Sequence, residues 1–150
     1  MNRALVGKVY PASQPYQVGR EKVREFATAV GETSAICHDL QAARAAGYPD
    51  VVAPPTFAFV VTMRAMDEAI FDPGLGLVYE MAVHGEQHFS YQRPIVAGDE
   101  ITVTTMIADV GVRGRNEVLT TRSELTAADG TLIATTSEVI VTRGTAGSGS

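Results

Sequence analysis

A single cysteine, Cys37, occurs in 150 residues, which excludes an intrachain disulfide and any multi-cysteine zinc or iron–sulfur site within one chain. Positive charge is also scarce: Lys and Arg number 12 against 17 Asp and Glu, for a formal net charge of -5. That balance opposes the cationic field that holds a phosphate backbone, so no nucleic acid is expected as a partner. No run of 18 apolar residues exists, and the opening stretch from Met1 to Val6 turns polar at Gly7 and Lys8 before a signal-type core develops. Neither membrane spanning nor secretion is signalled, and a cytoplasmic location is expected.

What is present is enough for one core. Apolar residues make up 45% of the chain, and this length suits one domain rather than several. The expectation is a single domain over residues 1–143. A tail, 144–150, follows, whose Gly, Ser, Thr and Ala composition is too small and polar to order itself.

Between Val18 and Val30, apolar Val23, Phe26, Ala27 and Val30 fall at helical spacing among charged residues, with Gly31 as the stop. Asp39 then reads as the N-cap of a short helix to Ala46, ended by Gly47. Pro54 and Pro55 announce a third helix from Phe57 to Ile70, apolar nearly all round in its first turns and so expected to be buried. Beyond Asp72-Pro73-Gly74 the pattern turns to strands. Leu77 to Tyr91 alternates, with Tyr79, Met81, Val83, Phe89 and Tyr91 expected to pack and Glu80, His84, Glu86, His88 and Ser90 expected outside. Glu100–Ala108, Asn116–Ala127 and Thr131–Arg143 are rich in Val, Ile and Thr, and Asp129-Gly130 makes a hairpin of the last two. The predicted architecture is α+β: a curved antiparallel sheet wrapped round the long central helix, completed by an early strand near Lys8–Tyr10. A single layer of this kind leaves an apolar face or edge, so pairing with a second copy or a relative is expected.

The loop Gly31-Glu32-Thr33-Ser34-Ala35-Ile36-Cys37-His38-Asp39 gathers two carboxylates, a thiol and an imidazole between two helices. Cys37 beside His38 suggests a nucleophile and its base, but adjacent residues seldom point the right way, and a lone cysteine serves more often as a small buried apolar group. His84, Glu86 and His88 at i, i+2 and i+4 could surround a metal. A polar outer face explains them better, because Gly85 can bulge the strand and break the alternation. No metal and no cofactor are expected.

Several segments together carry a family resemblance. Gly7-Lys8-Val9-Tyr10, the helix from Val18 to Ala27, Ala42 to Phe57, Val83-His84-Gly85-Glu86-Gln87, and Tyr91-Gln92-Arg93-Pro94-Ile95-Val96-Ala97-Gly98-Asp99 span nearly the whole chain. They resemble the MaoC-type hot-dog dehydratases and (R)-hydratases, and most closely the FAS1-like dehydratase group with its accessory subunits. The resemblance implies a hot-dog fold acting on acyl-carrier-protein or coenzyme A thioesters, as a subunit of an (R)-3-hydroxyacyl dehydratase in fatty-acid or polyketide biosynthesis.

Active members read Gly-Asp-x-Asn-Pro-x-His in the loop after the first helix, since one group must move the C2 proton while another handles the C3 hydroxyl. On that pattern this chain keeps Gly31 but has Glu32 for Asp, Ser34 for Asn, Ala35 for Pro and Cys37 for His. His38 lies one residue late, roughly 100° round if helical, and rescues the pair only if the loop is rearranged. The family uses the start of the central helix to hold the thioester carbonyl, which points to Pro55, Thr56 and Phe57, with Phe59 and Met63 as acyl-chain contacts. Asp67 and Glu68 on that helix would suit a thioesterase. The degenerate dyad implies an accessory subunit that shapes the acyl pocket, weak or inactive alone, in a heterodimer with a hot-dog partner bearing the Asp and His. The alternatives are a non-catalytic homodimer that binds acyl thioesters, and a thioesterase.

Overall fold

The computed structural model describes residues 1–147. Helix α1 spans Arg20–Ala29, α2 Ala35–His38, α3 Leu40–Ala45 and α4 Ala58–Ile70; strands are β1 Tyr16–Gln17, β2 Ala82–Tyr91, β3 Glu100–Arg113, β4 Asn116–Ala127 and β5 Leu132–Thr142. The sheet order is β1-β3-β4-β5-β2, with every pairing antiparallel. Helix α4 lies across the inner face, over β3 and β5. This is the curled sheet and central helix of a hot-dog.

The local signals act where expected. Val23 and Ala27 on α1 are buried, and Gly31 takes a positive φ of 74° just beyond the helix, a conformation that only glycine adopts without strain. Asp39 caps α3 by accepting from the Ala42 N–H at 2.7 Å. The Asp129-Gly130 turn joins β4 to β5, with Gly130 at φ 84°.

The loop expected between the first two helices contains α2. The sheet's fifth strand is Tyr16–Gln17, on Ile101 and Glu100, rather than the segment near Lys8–Tyr10. That earlier segment still follows the β3 edge through a single bridge, Val9 to Met106. Helix α4 is not buried all round: Ala58, Val61, Thr62, Met66 and Ala69 face the core while Met63 is 49% exposed. One sheet layer has only one inner face to offer, so the rest of the helix is only partly covered.

The most consequential difference lies in β2. The strand begins at Ala82, after a 3-10 turn over Tyr79–Met81, and its register on β5 shifts between His84 and Glu86. Gly85 suits this bulge, since an added Cβ there would lie 3.2 Å from the Val139 carbonyl and from Val141 Cγ2. The bulge reverses the alternation. Before it, His84 points toward α4, its ring 5.4 Å from that of Phe59; after it, Phe89 and Tyr91 pack on the core. Tyr79, Met81 and Val83, expected to pack, are exposed instead: the first two lie in the 3-10 turn before the strand, and Val83 falls on the outer face because its neighbour His84 points inward. Of the expected tail, Gly144 N–H donates to Asn116 Oδ1 and Ala146 N–H to the Arg115 carbonyl, while residues 148–150 lie outside the described residues.

The core has two lobes. One gathers Val23, Phe57, Val61, Ile95, Ile101, Leu125 and Ile133 near the start of α4; the other gathers Tyr10, Ala69, Leu75, Ile107, Leu119 and Ile140 near its end. Phe57 is fully buried, edge-on to Phe26 at 5.4 Å and to Tyr16 at 6.5 Å. Phe57→Ala is therefore expected to cost about 3–5 kcal/mol of unfolding free energy, read as a lower urea midpoint at unchanged slope.

Candidate active site

The segment from Val51 to Ala53 is pinned on both sides, and this builds a cavity at the head of α4. Val52 N–H donates to the Ile36 carbonyl at 2.9 Å, Ala53 N–H to that of Ile95 at 2.8 Å, and Ala97 N–H to that of Val51 at 3.0 Å. Arg20 holds Asp50 just upstream, Nε to Oδ1 at 2.9 Å and Nη2 to Oδ2 at 2.6 Å. Arg93 grips Asp99 by two bonds of 2.8 and 2.9 Å, closing the β2–β3 turn over the cavity wall.

The enclosed volume is about 400 Å³, in the range of a small-molecule site. Its walls include Ile36, Val52, Ala53, Pro54, Pro55 and Ile95, and its few polar groups include Glu32, Cys37, Tyr91 and Arg93. Glu32 and Cys37 are thus brought to one cavity. His38 is not among its lining residues. Its Nε2 lies 2.7 Å from the Glu32 carbonyl, which can only accept, so this ring nitrogen carries the proton and is occupied. The His38 carbonyl is in turn held by Arg24 Nε at 2.8 Å. Glu32 Oε1 accepts from the Ser34 N–H at 2.8 Å, a bond inside its own loop. Cys37 is buried, and that burial, with the Glu32 charge adding to it, pushes its thiol up and keeps it protonated.

At the helix entrance the predicted residues divide. Pro55 lines the cavity. Thr56 is exposed, and the Phe57 N–H donates to the Pro54 carbonyl at 2.9 Å. Phe59 and Met63 belong to a second cavity of about 310 Å³ between α4 and β2, together with Asp67, His84 and Glu138. Glu68 lines neither. His84, Glu86 and His88 do not converge: the bulge turns His84 inward, while His88 Nε2 lies 3.3 Å from Glu86 Oε2 on the exposed side. No group of metal-binding side chains occurs among the described residues.

Two residues escape a reading of the sequence alone. The Tyr91 hydroxyl donates to the Pro55 carbonyl and accepts from the Ala58 N–H, so it sits on the first turn of α4; burial pushes its pKa up to about 12. Glu138, on β5, is 5% exposed and lies across from Gln87. Tyr91 lies within a segment that resembles the family, which was its signal. Glu138 shares the inward parity of Thr136 and Ile140, a signal hidden by the Thr-rich pattern around it.

The Arg20–Asp50 pair sets a pH response. Arg20 hydrogen-bonding holds the Asp50 carboxyl at about 2, below its ordinary 3.8. A depressed carboxyl contributes stability that is complete above its unfolded value and is lost as pH falls through the folded one. Between pH 4 and 2 the chain is therefore expected to lose thermal stability more steeply than the Arg20→Ala variant, measured by calorimetry across that range.

The family model for the FAS1-like dehydratase domain region matches residues 4–136. A UPF0336 protein of Saccharopolyspora erythraea is 45% identical over 97% of this chain and 94% of its own length, and UPF0336 protein SCO4636 of Streptomyces coelicolor is 50% identical over 83% of each. Among solved structures, a chain of the C-terminally truncated HadBC (3R-hydroxyacyl-ACP dehydratase) complex of Mycobacterium tuberculosis superposes with a TM-score of 0.82 at 28% identity, covering 91% of this chain and 96% of that one. A MaoC-like dehydratase gives the same TM-score at 32% identity, covering 93% of this chain and 42% of its own. With the family match spanning most of its length and the hot-dog fold beneath it, the chain belongs to the FAS1-like dehydratase domain family.

Proposed function

We propose that this protein is the accessory, acyl-pocket subunit of an (R)-3-hydroxyacyl thioester dehydratase, paired with a second hot-dog chain that supplies the catalytic Asp and His. The observation that carries this reading is the cavity at the head of α4. It has the size and apolar lining of an acyl-thioester site, yet where an imidazole is needed it holds the buried, protonated thiol of Cys37.

The reaction removes a proton from C2 and breaks the C3–O bond, and the departing hydroxyl takes up a proton to leave as water. A base and an acid must both reach the substrate. Here Glu32 lies at the cavity alone, since His38 Nε2–H is spent on the Glu32 carbonyl. Binding without a complete acid–base pair is the chemistry left to this chain. The open edge of β2 offers a partner strand its hydrogen bonds, and the HadBC neighbour is a dehydratase complex with two named components.

Purified alone, the chain is expected to leave a 3-hydroxyacyl pantetheine thioester unconverted, while a co-purified partner with an intact Gly-Asp-x-Asn-Pro-x-His loop restores turnover, followed as 2-enoyl absorbance. Turnover by the isolated chain at about 1 s⁻¹ or faster, lost in Glu32→Ala or His38→Ala, would overturn the accessory role. Ile36→Trp, which fills the cavity from its α2 wall, is expected to weaken acyl-thioester binding by about tenfold or more while the fold persists. Release of free thiol from the thioester would mark a thioesterase instead.

A further inference from the structure

Strand β2 is bonded to the rest of the sheet through β5 alone, its other edge being free. One pair in that ladder differs from the rest: Gln87 on β2 and, directly across from it, Glu138 on β5. Glu138 Oε2 and both amide atoms of Gln87 are buried without a hydrogen-bond partner among the described residues. His84 Nδ1 stands 3.9 Å from Glu138 Oε1, too far to be one. Native interiors pair such groups almost without exception, so these three atoms call for partners. Gln87 is not among the residues lining the α4–β2 cavity, so an occupant of that cavity does not meet its amide. The partners must come from within the ladder.

The ladder sets the two side chains close. Gln92 N–H donates to the Ile133 carbonyl at 2.8 Å, and hydrogen-bonded pairs recur at every second residue, which makes Ser90–Thr135, His88–Ser137 and Glu86–Val139 such pairs. Gln87 and Glu138 fall between them, at the closer spacing of about 4.5 Å between Cα atoms. Both side chains carry two methylenes before the end group, so amide and carboxyl stand at the same height above the sheet. An ionised carboxylate only accepts: it takes the Gln87 N–H and leaves Gln87 Oε1 facing negative charge. A protonated carboxyl completes the set, its O–H donating to Gln87 Oε1 while its other oxygen accepts from Nε2–H. The titratable groups that share the cavity with Glu138 are His84 on β2, Asp67 on α4 and Tyr79 in the 3-10 turn, and its neighbour on β4, Thr121, carries no charge. Burial raises the Glu138 carboxyl above its ordinary 4.5, against a weaker lowering by His84.

We propose that Glu138 keeps its proton in the folded chain and forms a two-bond acid–amide pair with Gln87, a latch that fastens the edge strand β2 to β5 and opens as the carboxyl ionises. Ionisation removes the O–H donor and sets a buried charge against the Gln87 carbonyl oxygen, so the strand with the free edge loosens as pH rises. The folded chain holds a proton that the unfolded one releases above about 4.5, so the latch contributes in full below that value and is lost as pH rises from it through the higher folded-state value. Neither residue lines the cavity at the head of α4, and the latch owes nothing to the acyl-thioester reading.

The test joins a double-mutant cycle to a titration. At about pH 5, Glu138→Leu and Gln87→Leu are each expected to raise the unfolding equilibrium constant about tenfold or more, read from urea unfolding, and the double variant to be no less stable than either single one. Glu138→Gln, whose amide makes the same two bonds with Gln87, guards against a folding failure: it should match the wild type at that pH, and the wild type should fall below it as pH rises. Followed by carbon-13 NMR, the Glu138 carboxyl should titrate above its ordinary 4.5. Additive effects of the two leucine substitutions overturn the latch, and would be the result if each group met a water molecule or a partner subunit instead. So would a carboxyl that titrates at or below 4.5, or a wild type that tracks Glu138→Gln at every pH.

Discussion

A sheet of one layer must have its inner face covered by one helix, and everything else in this protein follows from how far that helix reaches. Helix α4 has 13 residues, about 20 Å of rod. It settles over β3 and β5 through Ala58, Val61, Thr62, Met66 and Ala69 and leaves the edge strand β2 beside it rather than beneath it. The dry part of the core therefore lies under the helix, and both cavities lie along its β2 side.

At the head of α4 the same constraint makes a cavity. The chain must pass from α3 to the helix without filling the space, and Val51–Ala53 does so while hydrogen-bonded to Ile36 on one side and to Ile95 and Ala97 on the other. The walls that result are apolar because this segment is also core: Val51 is fully buried and Val52 and Ala53 nearly so. Polar groups enter at two places, Glu32, Ser34 and Cys37 from the segment after α1, and Tyr91, Gln92 and Arg93 from the end of β2 and the turn beyond it. The thiol among them stays protonated, because burial raises its pKa.

Farther along the helix the balance differs. The bulge at Gly85 turns His84 toward Phe59 and puts Gln87 opposite Glu138, so a polar group of three side chains gathers on the inner face where an unbroken strand would have placed a single parity of residues. Burying a carboxyl and an amide without partners costs free energy, which well-folded chains rarely spend. The two ends of α4 thus face cavities of different chemistry.

Much of this was legible in residue order alone. Helical spacing marked α1 and α4, capping marked Asp39 and Gly31, and period-two runs with Asp129-Gly130 marked the β3–β5 meander, because each of these signals comes from neighbours in the chain. That Glu32 and Cys37 stand where the family pattern has Asp and His could be read there too. Residue order could not say where His38 would turn, since that depended on a carbonyl six residues upstream, nor that Val9 would yield its place in the sheet to Tyr16. Nor could alternation in β2 show which face was inner, because the bulge that inverts it exists only in the pairing with β5, more than fifty residues away. The two longer helices, the β3–β5 meander and the fold class were determined locally by the sequence; which side chains share a cavity was decided only by the tertiary structure, because strand register and the reach of one helix are set by packing between distant segments.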